Sequence, residues 1–179
     1  MKQINIKQYI SLSDSEKLPY VTLLTALKPK EWLKIDINNL TYNEVKNLYK
    51  RLSKAETEED VKEIFIRAFK ITEAEFYALP ITKYFQLKKH ISDYFVTLQD
   101  KEQKLLSSVS ADAGLWEAAG GNQLNEFGDI IPLSQLAKIY GGYPFDYGEK
   151  KYVEIIYLLR MNNLQSQIEA EFQKLKTKM

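Results

Sequence analysis

The residues that could carry chemistry are few and poorly grouped. His90 is the only histidine and there is no cysteine. A thiol nucleophile, a disulfide frame and a His- or Cys-rich zinc site are therefore excluded. His90 follows Lys88 and Lys89 within an apolar repeat of helical spacing. That setting suits a surface histidine better than a general base, which needs an acid and a nucleophile beside it. Carboxylates are plentiful, but they fall where helices begin. The "ETEED" cluster, Glu56 to Asp60, supplies acids to a first helical turn, where the helix dipole favours them. A catalytic site would have to draw on Asp112, Glu117, Glu126 or Asp146, scattered around two glycine pairs, "AAGGN" and "YGGYP". Neither pair has the spacing of a phosphate-binding loop, and both lie between segments of helical pattern. Helix termination is the simpler role for them.

The elements that must position these residues read as helices throughout. The chain has 179 residues, 45% of them hydrophobic and 27% charged, enough to bury a core. Start signals recur. Ser13 and Glu16, Thr41 and Glu44, Thr57 with its acids, and Thr72 in "TEAE" are all spaced as caps or capping boxes. They predict helices near Tyr42 to Ala55, from Thr57 through the Val61, Ile64, Phe65, Ala68 and Phe69 face, and from Thr72 to Pro80. A long helix follows from Ile81 to Ser107, with Tyr84, Leu87, Ile91, Tyr94, Phe95, Leu98 and Leu105 on its apolar face.

All seven glycines lie between Gly114 and Gly148. The expected class is therefore all-α: a multi-helix bundle with a glycine-rich connector and a long C-terminal helix. The expected divisions are an N-terminal helical domain over 1–108, a connector over 109–130 and a helical hairpin over 131–179. The connector is not bland, since Leu115, Trp116, Leu124 and Phe127 are large apolar groups that a pure linker would lack. In "IIPLSQLAKIYGG", Pro132 suits a first helical position and Gly141 a C-terminal stop. Pro144 then blocks continuation, which makes "IYGGYPFDYG" a joint. The final helix is expected to start near Tyr147–Glu149 and reach Lys176. Its stripe is Val153, Ile156, Tyr157, Met161, Leu164, Ile168, Phe172 and Leu175, the spacing of a coiled-coil seam or a groove-docking helix.

Charge narrows the partners. Lys plus Arg is 25 and Asp plus Glu is 24, so no basic excess points to nucleic acid. No segment reaches the ~20 apolar residues of a membrane span, and the first residues lack the apolar run of a signal peptide. No cofactor and no metal are expected. The aromatic and apolar groups of the joint, the connector and the final helix predict a protein-binding surface. Its residues are Trp116, Phe127, Tyr143, Phe145, Tyr147, Ile156, Met161, Leu164, Ile168 and Phe172.

Two stretches carry a resemblance. "EFYALPITKYF" leads into a long helix, and "LAKIYGGYPFD" precedes another. Arranged around a variable connector, they resemble the small helical tail-assembly chaperones and related virion-assembly proteins of tailed bacteriophages. That resemblance implies a non-enzymatic protein of the host cytoplasm, or of the virion itself. It would hold apolar helices of a tape-measure protein, with other virion or tail proteins, or a second copy, as partners. A permanent ring or connector subunit, or a small-molecule-binding helical protein, are the alternatives.

Overall fold

The computed structural model describes residues 3–55, 57–106 and 117–177. Among these residues the chain forms helices, with no strand or sheet, so the all-α expectation holds. Contacts group the chain into two units. The first is the chain up to Asp36 together with Asn47–Leu98, and the second is Ile37–Lys46 together with the chain from Gln99 onward. Residues 37–46 belong with the C-terminal part of the chain.

The first unit begins with α1 (Ile6–Ile10) and α2 (Asp14–Thr25). The helix α1 carries no strong apolar period, but it is pinned at its start. Asn5 and Gln8 form a capping box, the Ile6 N–H donates to the Leu79 carbonyl at 3.0 Å, and Ile6 is wholly buried. Glu16 accepts from the Ser13 N–H at 2.9 Å, as the spacing predicts, and starts α2. Pro19 lies inside α2. The Lys89 ammonium donates to the carbonyls of Thr25 and Leu27, satisfying groups left open at the end of α2.

Three further helices complete this unit: α4 (Glu58–Phe69), α5 (Glu73–Ala78) and most of α6 (Ile81–Leu106), with the larger part of α3 (Tyr42–Lys54). Thr57 and Thr72 cap α4 and α5 through Asp60 and Glu75. Phe65 is the centre of the core. Its ring lies 5.5 Å from Phe76 and 5.3 Å from Tyr84, centroid to centroid, at separations typical of packed aromatic pairs. Leu48, Ile64, Leu87, Ile91 and Phe95 close around that cluster, all but fully buried. The long face predicted for α6 is buried at Tyr84, Leu87, Ile91 and Phe95, while Leu105 is exposed.

The second unit holds the first turn of α3, the last turns of α6, and then α7 (Ile130–Tyr140), α8 (Pro144–Gly148) and α9 (Tyr152–Thr177). Its frame is a backbone pairing that no local pattern foretells. Thr41 and Lys151 form an isolated antiparallel bridge. The Tyr42 N–H donates to the Lys150 carbonyl, and the Tyr152 N–H to the Leu40 carbonyl, each at 2.9 Å. This bridge joins the start of α3 to the start of α9 and draws residues 37–46 into the second unit. Leu40, Tyr42, Val45, Leu133, Leu136, Tyr147, Tyr152, Ile155 and Leu159 form its core.

Candidate interaction surface

The joint between α7 and α9 is more structured than a hinge. Gly141 takes φ 81° and its N–H donates to the Ala137 carbonyl at 2.9 Å, closing α7. Gly142 follows at φ 89°, a conformation that L side chains rarely adopt. Pro144 does not simply stop the chain. It opens α8, where its missing N–H costs nothing and its fixed φ suits the first turn. The start of α9 therefore falls later than Tyr147–Glu149, because α8 and the Lys151 bridge take up that stretch. Pro132 likewise lies in the first turn of α7 but not at its first residue.

Tyr147 departs from its expected role. It is buried and its hydroxyl donates to the Gly141 carbonyl at 2.8 Å, so it locks the joint to its own core instead of facing a partner. Gly148 lies against Asn43, whose Nδ2 donates to the Glu149 carboxylate at 2.7 Å. Tyr143 and Phe145 do face outward, 60% and 57% exposed, with rings 5.3 Å apart. Ile139 and Tyr140, at the end of α7, are exposed as well. The Tyr140 hydroxyl donates to Asn162 Oδ1 at 2.8 Å, tying α7 to α9.

Beneath the joint is a polar cluster that sequence reading missed. Glu102 forms an ion pair with Lys46 and accepts from the Tyr152 hydroxyl at 2.9 Å. Tyr42 stacks on Tyr152 at 6.3 Å, and the Lys46 ammonium sits 5.3 Å from the Tyr42 ring centroid. Burial, then the negative charges of Glu102 and Asp129, push the Tyr42 phenol well above its ordinary range. The cluster therefore holds the neutral Tyr42 phenol beside the Lys46–Glu102 ion pair. It fastens α3, α6 and α9 together and presents no activated nucleophile.

The acids considered for catalysis do not converge on it. Glu117, Glu126 and Asp146 are exposed, and Glu117 accepts from Asn122 at 3.1 Å. His90 is half-buried beside Tyr94, with ring centroids 6.3 Å apart. Among the described residues no three of His, Asp and Glu gather as metal ligands. Asp112 and Trp116 lie outside the described residues.

The outward surface is dominated by α9. Its own core uses Tyr152, Ile155 and Leu159, which line one side of the first two turns. At 3.6 residues per turn, the stripe of Tyr157, Met161, Leu164, Ile168, Phe172 and Leu175 lies within an arc of about 80°, roughly half a turn from that buried side. Tyr157, Leu164, Ile168, Phe172 and Leu175 are each more than half exposed, and Met161 is 41% exposed. Ile156 falls on the flank and is half-buried, so it does not belong to the stripe. Phe127, in a 3₁₀ segment over Gly121–Phe127, is 54% exposed.

A cleft of about 600 Å³ lies between α7 and α9, with Pro132, Gln135, Ile139, Leu159 and Asn163 among its walls. It mixes amide and aliphatic groups with the Lys138 ammonium, and no carboxylate is among its walls. No helix among the described residues is long and apolar enough to cross a membrane.

Compared with protein-family models, with curated proteins and with solved structures, the chain gives no match.

Proposed function

We propose that this chain is a non-enzymatic assembly protein that docks an apolar helix along α9. One observation supports this above the others. The long stripe from Tyr157 to Leu175 is exposed, while the same helix buries Tyr152, Ile155 and Leu159 on a different side. A helix whose outward face carries aromatic, Met and branched side chains at 3–4 residue spacing has the pattern of an anchor surface for another helix. The exposed Tyr143–Phe145 pair adds aromatic groups of the kind enriched at interfaces.

The resemblance to phage tail-assembly chaperones makes the proposal concrete. The partner would be a tape-measure protein, held through its apolar helices in the host cytoplasm until the tail tube closes around it. The test is a tagged capture from the native host, read by mass spectrometry, with the unaltered chain beside Leu164→Asp and Ile168→Asp variants. A virion or tape-measure protein recovered in fixed ratio, and lost with either substitution, is the expected result. Persistence of the chain in finished particles would instead make it a ring or connector subunit. Capture unaffected by both substitutions would remove α9 as the interface.

A further inference from the structure

We infer that the α9 stripe is covered by a second copy of this chain, with the two helices antiparallel and crossing near Ser166. The inference rests on reading α9 as a helix-docking surface, and adds what occupies it before a partner helix takes the place of the second copy.

The spacing supports the antiparallel arrangement. Along the stripe the steps are 4, 3, 4, 4 and 3 residues from Tyr157 to Leu175. Run backwards about Ser166, the same stripe falls on itself to within one residue. Tyr157 then meets Leu175 of the second copy, Met161 meets Phe172, and Leu164 meets Ile168. Each contact occurs twice, over a length of roughly 27 Å at 1.5 Å per residue.

Charge selects the same arrangement. The antiparallel register sets Arg160 beside Glu171 of the second copy and Glu154 beside Lys176, both across the flanks of the stripe. The pairs combine opposite signs and each forms twice by symmetry. Arg160, Glu154 and Glu171 are all exposed, and Glu171 would exchange its 3.8 Å ion pair with Lys174 of the same helix for Arg160 of the second copy. The buried side of α9, with Tyr152, Ile155 and Leu159, lies about half a turn away, which turns the remainder of the second unit outward.

The full chain has no cysteine, so single-cysteine variants react only where one is introduced. Sedimentation of the unaltered chain should give twice its 20.9 kDa mass. Under mild oxidation, Tyr157→Cys mixed with Leu175→Cys should form the mixed disulfide. Leu164→Cys alone should not link to itself. Arg160→Glu should weaken the dimer at least about tenfold, and adding Glu171→Arg should restore it, a rescue that loss of folding could not mimic. A monomer at every concentration, or efficient self-linking of Leu164→Cys, overturns the pairing. If that monomer still captures its partner through Leu164 and Ile168, helix docking stands without the second copy. If its capture ignores both substitutions, both readings fall together.

Discussion

Asn43 and Gly148 approach so closely that a Cβ on Gly148 would lie 2.4 Å from the Asn43 Nδ2. The two residues come from the first turn of α3 and the last residue of α8, and Glu149 fixes the Asn43 amide at 2.7 Å. The glycine at this position is therefore set by a long-range packing constraint and not by turn geometry.

The first expectation follows from that contact. Gly148→Ala forces the exposed Asn43 side chain off Glu149 and should cost about 0.5–1.5 kcal/mol, the worth of that hydrogen bond. Asn43→Ala in the same background should recover part of the loss by clearing the space. Thermal unfolding of the three variants checks this, and a Gly148→Ala chain as stable as the unaltered one would contradict it.

Glu102 serves Lys46 and the Tyr152 hydroxyl together, with its side chain only 12% exposed. Replacing it by Leu removes this carboxylate from both the Lys46 ammonium and the Tyr152 hydroxyl in a poorly hydrated place. The cost should be about 2 kcal/mol, below the 3–5 kcal/mol of a fully buried pair because Lys46 keeps 16% exposure. Denaturant titration measures it. Equal midpoints for the two proteins would show that the cluster is incidental.

Lys70 ends α4 with φ 52°, the one positive φ outside glycine among the described residues. A side chain in the left-handed region carries a penalty of roughly 1–2 kcal/mol. Lys70→Gly removes it but gives the unfolded chain more freedom, worth about 0.4–1 kcal/mol in the other direction. The net expectation is a gain of about 0.5 kcal/mol, seen as a raised melting temperature. A fall would mean that the Lys70 side chain contributes contacts outweighing the strain.

The capping boxes make part of the stability pH-dependent. The Thr72 N–H and hydroxyl hold the Glu75 carboxyl below its ordinary range, and the Ser13 hydroxyl and N–H do the same for Glu16. A depressed carboxylate contributes stability that is present above its unfolded value and lost as pH falls through the folded one. Glu75→Gln keeps a capping amide that does not titrate. The difference in melting temperature between it and the unaltered chain should therefore shrink on acidification below about pH 4. A difference that stays constant down to pH 2 would show that the Glu75 charge is not what matters.

These boxes also show which parts of the fold could be read in the residues. Ser13–Glu16, Thr41–Glu44, Thr57 and Thr72 act within four residues of themselves, so each helix start was visible locally. The Thr41–Lys151 bridge was not, because pairing between distant segments leaves no short-range period. For α9 the periodicity found the largest apolar stripe. The core instead takes the smaller set, Tyr152, Ile155 and Leu159, because only the first turns of the helix touch the rest of the unit. Tyr143 and Phe145 lie outward as the joint suggested, whereas Tyr147, two residues on, turns inward to the Gly141 carbonyl. Alternation of that kind within one helical turn depends on the path of the backbone, which glycine and proline leave open.

From Leu164 to Thr177 the side chains of α9 are exposed, so this half of the helix buries none of them against the other described residues. Fourteen residues of mixed composition form only a marginal helix unaided. Amide hydrogen exchange along this segment therefore serves as a gauge: fast when the outward face is bare, slowed when anything settles on it. The protection pattern would register occupancy in a crude extract, before the occupant has been purified or even guessed.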